Sequence, residues 1–141
     1  MLFDPLSPPT LLEGLVEAQE IGVLLTAEWH RRSADDCVER FGAHVHATGD
    51  DLPADVELAS IGADDEVAYW IPRHRALVIG DVFTNEGRFR VMDHWVPEGG
   101  TPEQVRDGVR PLLELPVELV LLTHGDPVLE DGREAMRAAL A

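Results

Sequence analysis

Asp81 and His124 are the residues whose type and position point most directly to chemistry. Asp81 stands directly after the apolar run ALVIG, and His124 directly after VLLT (Val120 to Thr123). An earlier VLLT, Val23 to Thr26, leads into the polar loop AEWHRR and places Ala27 where the later run places its His. Runs this short and uniformly apolar read as strands buried on both faces, which favours a parallel sheet. In open α/β sheets, the loops at the carboxyl ends of parallel strands form the site. A carboxylate and an imidazole brought together there suit zinc or iron. Two donors fall short of a catalytic zinc site, which takes three from the protein.

The elements that must position these groups can be read along the chain. Thr10 is the candidate cap of a first helix, with Glu13 at capping-box spacing and Leu11, Leu12, Leu15 and Val16 on its apolar face. SADDCVERFG reads as a second helix, capped by Ser33 and stopped by Gly42. AHVHA (Ala43 to Ala47) alternates as a short strand, with His44 and His46 together on its wet face. Strand-like runs follow around Val56 to Ile61, Glu66 to Ile71 and Ala76 to Val82, separated by turn signals as in hairpins. TPEQ opens a third helix towards Leu113, with Thr101 as cap, Pro102 in the first position and Gln104 completing the box. Val117 to Thr123 is the next strand, and a last helix starts near Asp131 with Glu134 three residues on. With no linker or low-complexity stretch, this order predicts one α/β domain over residues 1–141.

Composition narrows the function. The chain has 27 acidic against 11 basic residues and a formal net charge of -16, and every basic residue is Arg. Such a field repels nucleic acid and anionic lipid, so neither a nucleic-acid partner nor a membrane partner is expected. The single cysteine, Cys37, excludes an internal disulfide framework and a multi-thiolate zinc site, and is expected as a small buried group in a helix. The N-terminus MLFDPLSPPT lacks a basic segment and a long apolar segment, so the expected localisation is cytoplasmic. There is no G-x-S-x-G elbow and no phosphate-cradling glycine motif.

Taken in order, the segments DP, VLLT, RFGAHVHA, ALVIGDVF and VELVLLTHGDPV resemble the metallo-β-lactamase fold family, over about Asp4 to Leu140. The resemblance implies an αββα sandwich, here truncated, with a mixed sheet and flanking helices, in a family of mono- and binuclear metal hydrolases. It implies Asp81 as the bridging carboxylate and His124 as the late His ligand. The family's His-x-His-x-Asp-His loop falls on Ala27, Trp29, Arg31 and Arg32, none of which binds a metal in the usual way. No His stands between Thr48 and Ile71 for the family's middle ligand. His30, one place off that register, is the candidate third donor beside Asp81 and His124. Family members usually begin with further strands before the DP turn, so this chain reads as N-terminally short. An uncovered sheet surface would follow, and we expect a homodimer that covers it.

These observations favour a degenerate, metal-free and non-catalytic protein with a binding, scaffold or regulatory role. The alternative is a mononuclear hydrolase with one zinc, iron or manganese ion on His30, Asp81 and His124. In a third reading, Arg31 and Arg32, with Trp29, line a pocket for a small anionic ligand, or pair with Asp81 in place of a metal. Outside that loop, His74 is expected at a solvated turn, His94 and Trp95 beside a long loop, and Trp29 and Trp70 as packing residues.

Overall fold

The computed structural model describes residues 1–6, 20–46, 52–63, 65–92, 96 and 100–141. The helix expected on Thr10 and the His94–Trp95 pair lie outside the described residues. Contacts divide the chain into two compact units, Met1–Leu52 and Pro53–Ala141. Each unit has its own sheet and its own apolar cluster.

In the first unit, β1 (Leu2–Phe3), β2 (Gly22–Leu24) and β3 (His44–His46) form a sheet in that order. Both pairings are parallel, with Gly22 opposite His44 and Leu24 opposite His46. β2 is central and wholly buried, which is why its sequence is apolar without alternation. Val23 and Leu25 pack with Ala34, Cys37 and Ala43, so α1 (Ala34–Phe41) covers the sheet through its smallest side chains. Cys37 is fully buried, and burial pushes its thiol pKa up. Gly42 stops α1 at φ 63°, returning its N–H to the carbonyls of Cys37 and Val38. Ser33 does not cap this helix; its hydroxyl donates to Leu6 O at 2.6 Å instead.

The second unit is built on a mixed sheet in the order β4 (Glu57–Ala59), β5 (Ala68–Ile71), β6 (Ala76–Ile79) and β9 (Leu119–Leu122). β4, β5 and β6 are antiparallel neighbours, as the hairpin signals required, while β6 and β9 run parallel. All four residues of β6 are buried because it has a strand on each side and core on its faces. β7 (Phe83–Thr84) and β8 (Arg90–Val91) form a separate antiparallel pair.

α2 (Pro102–Val109) opens with the expected box: Thr101 N–H donates to Gln104 Oε1 at 2.8 Å, and Gln104 N–H to Thr101 Oγ1 at 3.3 Å. It tightens into a 3-10 turn at Arg110–Glu114 rather than continuing as α-helix to Leu113, since Pro111 has no N–H to donate. α3 (Gly132–Ala139) lacks the box expected of Asp131 and Glu134. Asp131 sits at φ 53°, a left-handed conformation in which its side chain makes no cap bond. No helix among the described residues is long and apolar enough to cross a membrane.

Candidate functional site

Asp81 and His124 meet within the second unit. The buried strand β6 ends at Ile79, and two residues on, the carboxylate of Asp81 is 8% exposed. β9, parallel to β6, ends at Leu122 and delivers His124 at the same end of the sheet. His124 Nε2 lies 3.0 Å from Asp81 Oδ1. The loop that carries His124 is fastened to the segment after Asp81. Asn85 N–H donates to His124 O at 3.1 Å, and Asn85 Nδ2 donates to Asp126 O at 2.9 Å. Gly125 makes this possible: it sits at φ 85°, and a Cβ there would lie 2.4 Å from the Asn85 carbonyl carbon.

The two donor atoms fit a shared ion. Two ligands on one tetrahedral zinc, at ordinary bond lengths, stand about 3.3 Å apart. The observed 3.0 Å therefore asks for only a small adjustment.

His30 also takes part in a hydrogen-bond network within the first unit. The 3-10 turn Glu28–Arg31 follows the first VLLT and turns the ring inward, leaving it 1% exposed. Thr26 N–H donates to Asp4 Oδ1 at 2.8 Å, and the Thr26 hydroxyl to Asp4 Oδ2 at 2.6 Å. Thr26 Oγ1 also lies 2.8 Å from His30 Nδ1. A hydroxyl has one proton, and here it goes to the carboxylate, so Nδ1 carries a hydrogen and donates to Thr26. Nδ1 is also 3.3 Å from Asp4 Oδ2. In the neutral ring the lone pair is therefore on Nε2. Burial pulls the Asp4 pKa up, but the hydrogen bonds from His30 and Thr26 outweigh it and leave the carboxyl below its ordinary value. Asp4 was read in the sequence only as part of a DP turn. The missed signal is that it, too, follows a short apolar strand.

The other expected site residues are placed by local forces. Ala27 is buried, and Trp29 is 43% exposed rather than packed in a core, with its edge against His30 at 5.9 Å between centroids. Trp70 is buried in the second unit's core, as expected. The Arg31 guanidinium binds Asp35, one helical turn on, with Nη2 to Oδ1 at 2.7 Å and Nε to Oδ1 at 3.1 Å. That bond holds the Asp35 carboxyl below its ordinary pKa. The structure thus gives Arg31 the Asp35 carboxylate and gives Asp81 the imidazole of His124. Arg32 is exposed at φ 29°. His44 and His46 share a face, their rings edge-on at 4.6 Å, and His74 is exposed on a 3-10 turn.

No family model matches the sequence, and no curated protein matches it significantly. Solved structures do match. TTHA1623, solved in a di-iron-bound form, is 21% identical over 94% of this chain and 85% of its own, with a TM-score of 0.65. The B3 metallo-β-lactamase BLEG-1 is 16% identical over 94% of this chain and 83% of its own, with a TM-score of 0.66. VMB-1, solved at pH 5.5, is 12% identical over 92% and 73%, with a TM-score of 0.60.

Proposed function

We propose that this chain, which has the metallo-β-lactamase fold, is a hydrolase relative reduced to a single metal site. Asp81 and His124 would hold the ion, and His30 is the third donor suggested by the sequence. The observation that carries this reading is the 3.0 Å approach of His124 Nε2 to Asp81 Oδ1. A di-iron state belongs to TTHA1623; for this chain we propose one ion, because Ala27, Trp29, Arg31 and Arg32 occupy the other donor positions.

A divalent ion supplies Lewis acidity and makes water more acidic. The protein's part follows from its own groups. Asp81, ionised, offers only acceptor oxygens, and the fastening of the His124 loop to Asn85 fixes the imidazole against it. Asp4 and Thr26 fix the tautomer of His30, which puts the basic lone pair on Nε2, the atom suited either to ligate or to take a proton.

The second reading is a metal-free binding or regulatory protein, favoured by the occupation of Arg31 by Asp35 and the burial of Ala27. Metal analysis by mass spectrometry separates the two. Protein purified without an affinity tag is measured directly, then after dialysis against zinc, iron and manganese. About one ion per chain, lost in His124→Ala, supports the hydrolase reading and directs a screen of ester and phosphodiester substrates. No ion from any of the three supports the metal-free reading.

A further inference from the structure

A cavity of about 390 Å³ in the second unit is lined by Arg88, Phe89, Arg90, Val91, Arg106 and the end of α3 at Ala138 and Ala139. Neither Asp81 nor His124 lines it. Three of the chain's eleven arginines therefore border one cavity in a protein of formal charge -16. Of the other eight, four are matched with carboxylates: Arg31 with Asp35, Arg75 with Glu118, Arg110 with Asp107 and Arg137 with Glu134. Among the described residues, neither Arg88 nor Arg90 makes an ion pair with a carboxylate. Arg106 is tied into the wall, donating from Nη1 to Ala139 O at 3.2 Å. That bond also offsets the negative end of α3, which would otherwise disfavour an anion there.

We propose that this cavity binds a small organic phosphate. Guanidinium groups present planar forks that match phosphate oxygens, and two cations that meet no carboxylate among the described residues suit a ligand with about two negative charges. A phosphomonoester carries that charge near neutral pH, whereas a monocarboxylate carries one. The volume exceeds what the phosphate group alone needs, and Phe89, Val91, Ala138 and Ala139 complete a lining whose exposed surface is mostly polar. Phe89 is held in place by stacking on the buried Phe83, at 5.0 Å and 15° between rings, so the organic part meets a fixed aromatic wall. In so acidic a chain the general field repels anions, and capture depends on these local cations.

The site is independent of the metal reading, and calorimetric titration of the full chain with phenyl phosphate tests it. We expect saturable binding that weakens as salt is raised, with succinate binding more weakly than phenyl phosphate. The double variant Arg88→Gln/Arg90→Gln changes exposed and half-exposed side chains, and its fold is checked by circular dichroism. It should weaken binding by about tenfold or more, a change of about 1.4 kcal/mol or more, while His124→Ala leaves it unchanged. Absence of saturable binding overturns the proposal. So does binding that survives the double arginine variant, or binding that is lost in His124→Ala.

Discussion

The two VLLT runs end in opposite ways. After the first, Asp4, Thr26 and His30 are all nearly or fully buried and hydrogen-bond to one another. After the second, His124 keeps 37% of its side chain exposed and approaches one carboxylate, Asp81, whose own side chain is 8% exposed. In the first, a hydroxyl, a backbone N–H and an imidazole converge on a carboxylate and close the site against water. In the second, two donors of metal-binding type stand side by side at the mouth of a sheet. One strand-to-loop device can thus use its polar groups to stabilise the fold or to offer them to a ligand. The choice rests on the few residues that follow the threonine.

The largest effect should separate the two ends outright. His124→Ala removes one of the two donors that meet at Asp81 and His124 and should lower affinity for zinc by about 100-fold or more, read by competition with a chromogenic chelator. Its melting midpoint should move little, because the imidazole is partly exposed and its partner remains reachable by water. A large loss of stability with unchanged zinc affinity would break the comparison, making the second end structural like the first.

The converse variant is Asp4→Ala. It leaves the Thr26 N–H and the Thr26 hydroxyl without their carboxylate acceptor in a buried site, at an expected cost of about 3–5 kcal/mol in urea unfolding. Thr26→Val keeps the carboxylate and removes the hydroxyl that links it to the ring, at about 1–3 kcal/mol. Acid should expose the same network. The Asp4 carboxyl is lowered in the folded state from 3.8. Its contribution is therefore complete above that value and is lost as pH falls below it, through the folded pKa. Asp4→Asn should flatten stability in that acid range; an unchanged acid limb would remove Asp4 from the network.

What the sequence revealed follows how local each cause is. The capping box at Thr101 formed as read because its donors and acceptors lie three residues apart and need nothing else. The box at Asp131 did not, because the turn before α3 holds Asp131 in a left-handed conformation that no spacing rule can see. Asp81 and His124 were legible because each follows a short apolar strand, β6 fully buried and β9 half-buried at the end of the sheet order, and parallel neighbours bring such ends together. Asp4 was missed for the opposite reason: Thr26 is 22 positions away in sequence, and only the parallel pairing of β1 with β2 joins them. The arginines around the further cavity come from β8, the loop before it and α2, and no pattern in the sequence links them.

The smallest effect sharpens the comparison most, because it concerns Arg31, which the sequence resemblance sets at a metal-ligand position of the metallo-β-lactamase fold family. If Arg31 took over the charge of a lost ion, Arg31→Gln would disturb the first unit as strongly as Asp4→Ala. The structure puts its guanidinium on Asp35, in the exposed (i, i+4) arrangement of a helix start, where both side chains are more than half exposed. Water and salt screen such a pair, and it holds two long side chains at an entropic cost that nearly offsets the attraction. Arg31→Gln should therefore leave the melting midpoint where it is at moderate salt, and leave zinc affinity within a factor of about two. A marked fall in stability would mean that this arginine neutralises a buried carboxylate. The first VLLT end would then be a metal site rebuilt with a cation of its own, and not a loop released from metal binding.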